Sequence, residues 1–316
     1  MSTESAFLAA LRPLAGHPAA RGLVDDAAVL PAPLGRDLVL THDMLVEGVH
    51  FLPGDPPGDV AWKLLAVNLS DLAAKGARPL GVLMGCGLGG DPLWDEAFVA
   101  GLARVLDHFG VPLLGGDTVA MPAGAPRTLG LTALGETMPG LAPSRAGAHA
   151  GDRLWVSGTI GDAALGLSIA RGDIAGPRRL LKAYRLPIPR LAAGRALAPH
   201  VHAMADVSDG LLIDAGRMAR ASGLAVAIDL DAVLLSPEAA ALAGSDRAAR
   251  LAAAVAGDDY ELLFAAADEE QPALAALAGL LGLALTPVGR FVEGDGVMLH
   301  DAAGIVPLPT RLGYEH

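Results

Sequence analysis

Apolar and polar positions alternate along the first half of the chain in short strand-like runs at residues 37–41, 46–51, 78–86, 111–115 and 128–137. Two longer patterns of helical period lie among them. The first, residues 59–75, opens on Asp59 in N-cap position and sets Val60, Leu64, Val67 and Leu72 roughly on one face; the second spans residues 93–109. The opening segment MSTESAFLAALRPLAG reads as a short amphipathic helix. A stretch rich in Pro, Gly, Ser and Ala, PGLAPSRAGAHAG at residues 139–151, then breaks the periodicity and divides a domain of residues 1–140 from one of residues 141–316. In the second half, strands are expected at residues 153–157, 203–206, 224–229, 260–266, 283–288 and 297–299, separated by helices at 162–171, 190–197, 211–222 and 268–281. That alternation predicts an α/β domain with a mixed or parallel sheet covered by helices. GDGV at residues 294–297 reads as a hairpin turn.

Composition narrows the class. With 316 residues, 52% hydrophobic and 18% charged, the chain has the makeup of a folded, soluble protein, and its length favours two cores over one. The 40 glycines and 23 prolines follow no fixed period, which excludes a collagen-like chain. The net charge of −12 disfavours nucleic acid as a partner and suits a protein that gathers cations where carboxylates converge. A single cysteine, Cys86, forms no internal disulfide, and the opening segment lacks the basic start and apolar run of a signal peptide, so the expectation is cytoplasmic. Residues 272–289 carry no charge but contain Pro287 and internal glycines, so they read as a helix followed by a buried strand and no membrane is expected as a partner.

The candidate chemistry lies in aspartates at the ends of apolar runs: Asp26 in GLVDDAAVL, Asp43 in LVLTHDMLVEGVHF, Asp117 in VPLLGGDTV, and Asp206 and Asp209 in MADVSDGLL. A carboxylate beside a buried strand is costly unless it is paired, caps a helix or binds metal. Taken singly, each also fits a turn or cap. Together they fit several Mg²⁺ ions, whose octahedra combine one or two carboxylates with substrate phosphates. Asp71, in the apolar helix AWKLLAVNLSDLAAKG beside Asn68 and Ser70, is a further candidate. GCGLGG at residues 85–90 formally matches a dinucleotide fingerprint, but Asp91 and Pro92 place the next helix too late for the third glycine to lie inside it. The sequence holds no Walker loop, nucleophile elbow or zinc spacing.

In this order the motifs resemble the thiamine-monophosphate kinase family, within the aminoimidazole ribonucleotide synthetase-like superfamily. The resemblance rests on VDDAAVL (24–30), THDMLVEGVHF (41–51), KLLAVNLSDLAAKGARP (63–79), GGDTV (115–119), SRAGAHAGD (144–152), DVSDGL (206–211) and GDDYELLF (257–264). It implies a two-domain fold in which an N-terminal sheet builds a barrel across a homodimer and a mixed α/β domain follows. It implies in-line transfer of the γ-phosphoryl of ATP to thiamine monophosphate, giving thiamine diphosphate, with several Mg²⁺ ions and no protein nucleophile. The N-terminal domain would then bind ATP and Mg²⁺ and dimerise.

Carried onto this sequence, the metal ligands would be Asp26, Asp43, Asp71, Asp117, Asp206 and Asp209, with Thr41 and the main chain of His42 assisting. Gly116, Asp117, Arg145 and Ser208 would hold ATP, and His50, Asp258 and Tyr314 the substrate. The sequence departs from the family at Val24, where Gly is usual; at His42, where Ser or Thr is usual; at Asp258, where Glu is usual; and in VAMP (119–122), where an Arg is common. Other readings of the same residues are a sister ATP-using enzyme or a nucleotide-binding protein without turnover.

Overall fold

The computed structural model of the chain describes residues 3–23 and 33–315, which divide into two compact units, residues 1–72 with 78–139 and residues 73–77 with 140–316. Asp26, and Val24 with it, lies outside the described residues. Among those residues no helix is long and apolar enough to cross a membrane.

The first unit begins with helix α1 (Thr3–Leu11), which buries Phe7 and Leu11. Strand β1 (Asp37–Val46), helix α2 (Pro57–Ala74), strand β2 (Arg78–Leu88), helix α3 (Pro92–Phe109) and strands β3 (Leu113–Ala120) and β4 (Thr128–Thr137) follow. The four strands form one sheet in the order β1-β4-β2-β3, in which only β2 and β3 run parallel. The two strands expected at 37–41 and 46–51 are one strand followed by a turn. The strand continues through His42 and Asp43 because the two-residue period is kept: Thr41, Asp43 and Leu45 alternate with exposed Leu40, His42 and Met44. It stops where Gly48, at φ 83°, lets the N–H groups of Val49 and His50 both turn back to the Val46 carbonyl.

Helix α2 begins at Pro57, so Asp59 lies in its first turn and is not the cap. Nor does α2 bury only one face. Val60, Leu64, Leu65, Leu69 and Leu72 are all at most 1% exposed, and Lys63, Asn68 and Ser70 are buried among them. Helix α3 opens on Asp91, whose carboxylate accepts the Trp94 N–H at 3.2 Å, and closes on Gly110 in the left-handed conformation. The glycine run at 85–90 enters the sheet instead of a loop. Residues Gly85–Leu88 pair within β2 and only Gly89 and Gly90 lead on to the Asp91 cap of α3, so the first two glycines of the match lie in a strand and the third lies outside the helix, and the dinucleotide match is void.

In the second unit, strand β5 (Arg153–Ser157) precedes helices α4 (Asp162–Arg171), α5 (Arg178–Arg185) and α6 (Leu191–Leu197). Strand β6 (Ala203–Asp206), helix α7 (Leu211–Ala221), strand β7 (Ala225–Asp229), helices α8 (Pro237–Ala243) and α9 (Arg247–Ala254), strand β8 (Leu262–Ala266), helix α10 (Gln271–Leu281) and strands β9 (Leu285–Val292), β10 (Gly296–Asp301) and β11 (Gly304–Val306) complete it. The sheet is mixed, in the order β11-β10-β7-β9-β5-β8-β6, with β7 and β10 parallel. Alternate residues of its strands enter two separate apolar layers. Leu154, Val156, Ala203, Ala205, Leu263 and Ala265 pack with Leu211, Leu212, Ala215 and Met218 of α7, while Trp155, Met204, Leu262 and Phe264 pack with Leu197 and Leu274. Burial on both faces explains why these strands read as unbroken apolar runs.

The GDGV segment does not make a hairpin. Strands β9 and β10 lie on either side of β7, so the turn at Gly294 steps over a strand. Local turn chemistry set the bend, and the partner came from elsewhere in the chain. Helices α5, α8 and α9 carry no expectation from the pattern, being only seven or eight residues long.

Candidate functional site

In the first unit, β1 and α2 gather a set of oxygen donors. Strand β1 is an edge, and its Asp43 N–H, not being needed by β4, donates to Asn68 Oδ1 at 2.9 Å. Two residues earlier on the same face of the strand, the Thr41 hydroxyl donates to Asp71 Oδ2. Asn68 and Asp71 are one helical turn apart on α2, and Asn68 is fixed by donating from Nδ2 to the Leu64 carbonyl at 2.9 Å. Thr41, Asp43 and Asp71 are each half-buried. An all-oxygen, acidic, partly solvated donor set fits Mg²⁺, which keeps waters and takes carboxylates. His42 faces away: its Nδ1 meets Thr132 Oγ1 at 2.9 Å on the exposed side of the sheet.

Asp117 and Gly116 are within β3, not beyond a strand end. Asp117 pairs with Gly85, which is in line with Gly130 and Met44, whereas Asp43 is in line with Leu131, Met84 and Gly116. Asp117 therefore stands on the opposite side of the sheet from Asp43, and three strand spacings away, about 14 Å. Within one chain it does not join Asp43 and Asp71. Gly116 is required where it is, since a Cβ there would come within 1.9 Å of the Met84 carbonyl oxygen.

His50 occupies the turn after β1. Its Nδ1 accepts the Val46 N–H at 3.0 Å, which places the neutral ring's proton on Nε2, and its carbonyl accepts from Lys63 Nζ at 2.9 Å. Lys63 is 2% exposed.

In the second unit, main-chain bonds draw three distant segments together. The Asp258 N–H donates to the Ser208 carbonyl and the Tyr260 N–H to the Val207 carbonyl, both at 2.8 Å, while the Tyr314 N–H donates to the Asp209 carbonyl at 2.9 Å. Ser208, Asp209, Asp258 and Tyr314 are thereby neighbours, with Asp206 at the end of β6 opposite Leu262. Asp258 and Tyr260 are both left-handed, at φ 70° and 51°, and the Tyr260 hydroxyl donates to Asp258 Oδ1 at 3.0 Å. Gly257 permits the approach, for a Cβ there would be 2.5 Å from the Ser208 carbonyl oxygen. Arg145 is held elsewhere: its carbonyl accepts from Ser222 at the far end of α7, about 16 Å of helix away from Asp209.

Cys86 is buried, and burial first and Asp95 second push its thiol up to about 12, so it is no nucleophile at neutral pH.

Residues 24–137 match the AIR synthase related protein, N-terminal domain, and residues 149–301 match its C-terminal domain. A thiamine-monophosphate kinase of Caulobacter vibrioides is 44% identical over 313 residues, covering 97% of this chain and 88% of that protein. The chain belongs to the thiamine-monophosphate kinase family. The structure of a thiamine-monophosphate kinase from Stenotrophomonas maltophilia K279a superposes with a TM-score of 0.81 at 40% identity, covering 90% of each chain. AaThiL complexed with AMPPCP and TMP superposes with a TM-score of 0.78 at 28% identity, covering 90% of this chain and 89% of that one. The AIR synthase-like fold is thus shared over 90% of this chain.

Beside the motif residues of this thiamine-monophosphate kinase family member stand four that sequence reasoning did not find. Asp214, 1% exposed, accepts the N–H groups of Ser208 and Asp209 at 3.1 and 3.0 Å on one oxygen and Arg217 at 2.9 Å on the other. Arg217 also pairs with Asp209. The signal was present: an acid in the first turn of α7, placed to accept amides just ahead of the helix. Glu261, fully enclosed, is held by Arg190 Nε at 2.8 Å and by the Ser157 hydroxyl at 2.5 Å; burial pushes its carboxyl up, and Arg190 opposes that. No spacing links Arg190 to Glu261, 71 residues apart.

Proposed function

We propose that this chain transfers the γ-phosphoryl of ATP directly to the phosphate of thiamine monophosphate, forming thiamine diphosphate and ADP. The observation that carries the reading is the assembly of Thr41, Asp43, Asn68 and Asp71 by β1 and α2, together with the family's kinase relatives. Both reactants are anions, so charge neutralisation dominates the barrier. Asp43 and Asp71, with Thr41, would hold Mg²⁺ in the first unit and Asp206 and Asp209 in the second; bound there, Mg²⁺ supplies charge neutralisation and alignment of the phosphate oxygens. Asp26 and the main chain of His42 belong to the first unit's ligand set in this reading, and Asp117, on the opposite side of the sheet from Asp43, would bind a separate ion. Gly116 in the first unit, and Ser208 and Arg145 in the second, are each candidates to bind ATP, the guanidinium of Arg145 supplying a planar donor fork. Asp258 and Tyr314 are the second unit's candidates for recognising the cationic, aromatic acceptor, and His50 is the first unit's.

The same reading places the work in the cytoplasm and in a homodimer, residues 1–140 supplying the ATP and Mg²⁺ sites with the dimer contact and residues 141–316 the α/β domain. The exposed side of the first sheet supports the dimer: Leu40 is 63% exposed, Met44 49% and Val119 53%, apolar side chains that a second copy would cover. Light scattering should return twice the chain mass. A monomer at all concentrations would remove the barrel from the reading.

The test of the activity is incubation with ATP, Mg²⁺ and thiamine monophosphate, with ADP and thiamine diphosphate followed together by chromatography. Equal formation of both, dependent on Mg²⁺ and on the acceptor, is expected. ADP without thiamine diphosphate would assign a different acceptor, and neither product despite ATP binding would make the protein a nucleotide binder.

A further inference from the structure

Outside the residues assigned to phosphoryl transfer, three metal-ligating side chains of the second unit converge. His149 Nδ1 and His202 Nδ1 are 3.1 Å apart, and His202 Nδ1 is 3.1 and 2.9 Å from the two oxygens of Asp152. One ligand atom from each lies within 4.8 Å of the others. The imidazoles are exposed and the carboxylate is 4% exposed, so the cluster is a buried anion capped by two rings, set edge to face at 63°.

Proton counting shows what this arrangement wants. Each Nδ1 carries either one hydrogen or one lone pair. If His202 donates to Asp152, its only Nδ1 hydrogen is spent, and His149 Nδ1 faces the flank of that bond. If His149 carries a hydrogen there too, two N–H groups meet head on at 3.1 Å. With a lone pair on His149 Nδ1 that ring accepts the same hydrogen; a divalent cation in the hydrogen's place engages all three groups, because both nitrogens then present lone pairs and Asp152 an anionic oxygen. Tetrahedral zinc with bonds of about 2.0–2.1 Å separates its ligand atoms by about 3.3 Å, a few tenths more than the spacings here. Two imidazoles and one carboxylate suit zinc and the late first-row ions, whereas Mg²⁺ takes oxygen.

The ligands are also held in place. Asp152 Oδ2 accepts the His149 N–H at 2.8 Å and the His149 carbonyl accepts the Asp152 N–H at 3.1 Å, closing a tight turn. The His202 N–H donates to the Ala265 carbonyl at 2.8 Å, and a Cβ at Gly147 would be 2.0 Å from the His202 carbonyl oxygen, so only glycine lets the loop lie against β6. We propose that His149, Asp152 and His202 form a binding site for a zinc-class divalent cation, open to solvent at its fourth position. Bound metal clamps the 144–152 loop to the start of β6.

The test uses the full chain, freed of metal by chelation and kept in excess Mg²⁺ so that oxygen sites are filled. Co²⁺ is titrated in and its visible absorption recorded, then Zn²⁺ is added. One equivalent of Co²⁺ should give the intense bands of a four- or five-coordinate nitrogen site, and Zn²⁺ should displace it. His149→Ala and His202→Ala, both at exposed positions, should each weaken binding about 100-fold or more, and Zn²⁺ should raise the melting temperature of the wild type but not of the variants. Equal Co²⁺ affinity in wild type and variants, or only the weak absorption of an octahedral oxygen site, would overturn the proposal whether or not the chain proves to be a kinase.

Discussion

The main-chain N–H of Tyr314 donates to the carbonyl of Asp209 at 2.9 Å, tying the last residues described to the loop that opens α7. Gly313 makes the approach possible, since a Cβ there would be 2.5 Å from that same carbonyl oxygen. The segment at Gly313 and Tyr314 is thus part of the wall around Ser208, Asp209 and Asp258.

That wall depends on Asp214, whose single carboxylate fixes two amides and Arg217. Asp214→Ala leaves both N–H groups and the guanidinium without their acceptor and should cost about 2–4 kcal/mol in urea unfolding. Asp214→Asn, which keeps one carbonyl acceptor, should lose less. If the alanine variant unfolds together with the wild type, Asp214 is not the anchor of this loop.

On the first unit, the oxygen set at β1 and α2 predicts a different outcome. Asp43→Asn and Asp71→Asn remove negative charge from half-buried positions while keeping the side-chain shape, so turnover should fall about 100-fold or more with the fold intact. Circular dichroism and melting would monitor the fold. Unchanged turnover in both variants would make these aspartates structural.

Burial raises the Asp259 carboxyl well above its ordinary value of 3.8; the Gly161 N–H opposes the rise, and Glu261, Asp162 and Asp258 add to it. The folded state therefore holds a proton that the unfolded chain releases. Its contribution to stability is complete below about pH 3.8 and is lost as pH rises through the folded value. Asp259→Asn cannot ionise, so its melting temperature should gain on the wild type as pH rises from 3.8 and then level off. A pH-independent difference would show that Asp259 does not titrate in this way.

What local order could determine was legible from the sequence. The helices α2, α3, α7 and α10 and the strands β5 and β6 follow from period, caps and breakers, which are interactions between residues a few positions apart. The aspartates beside apolar runs stood out for the same reason, because such a charge is a local anomaly, but Asp43 and Asp117 lie inside β1 and β3, not at strand ends. Tertiary structure alone decided partnership. Nothing local says that β7 enters between β9 and β10, that Asp117 faces the opposite side of its sheet from Asp43, that Arg190 reaches Glu261, or that His149 meets His202. Those relationships join positions tens of residues apart, and the register of a whole sheet fixes them. Hydrophobic burial selects that register for the chain at once, not for any window of it.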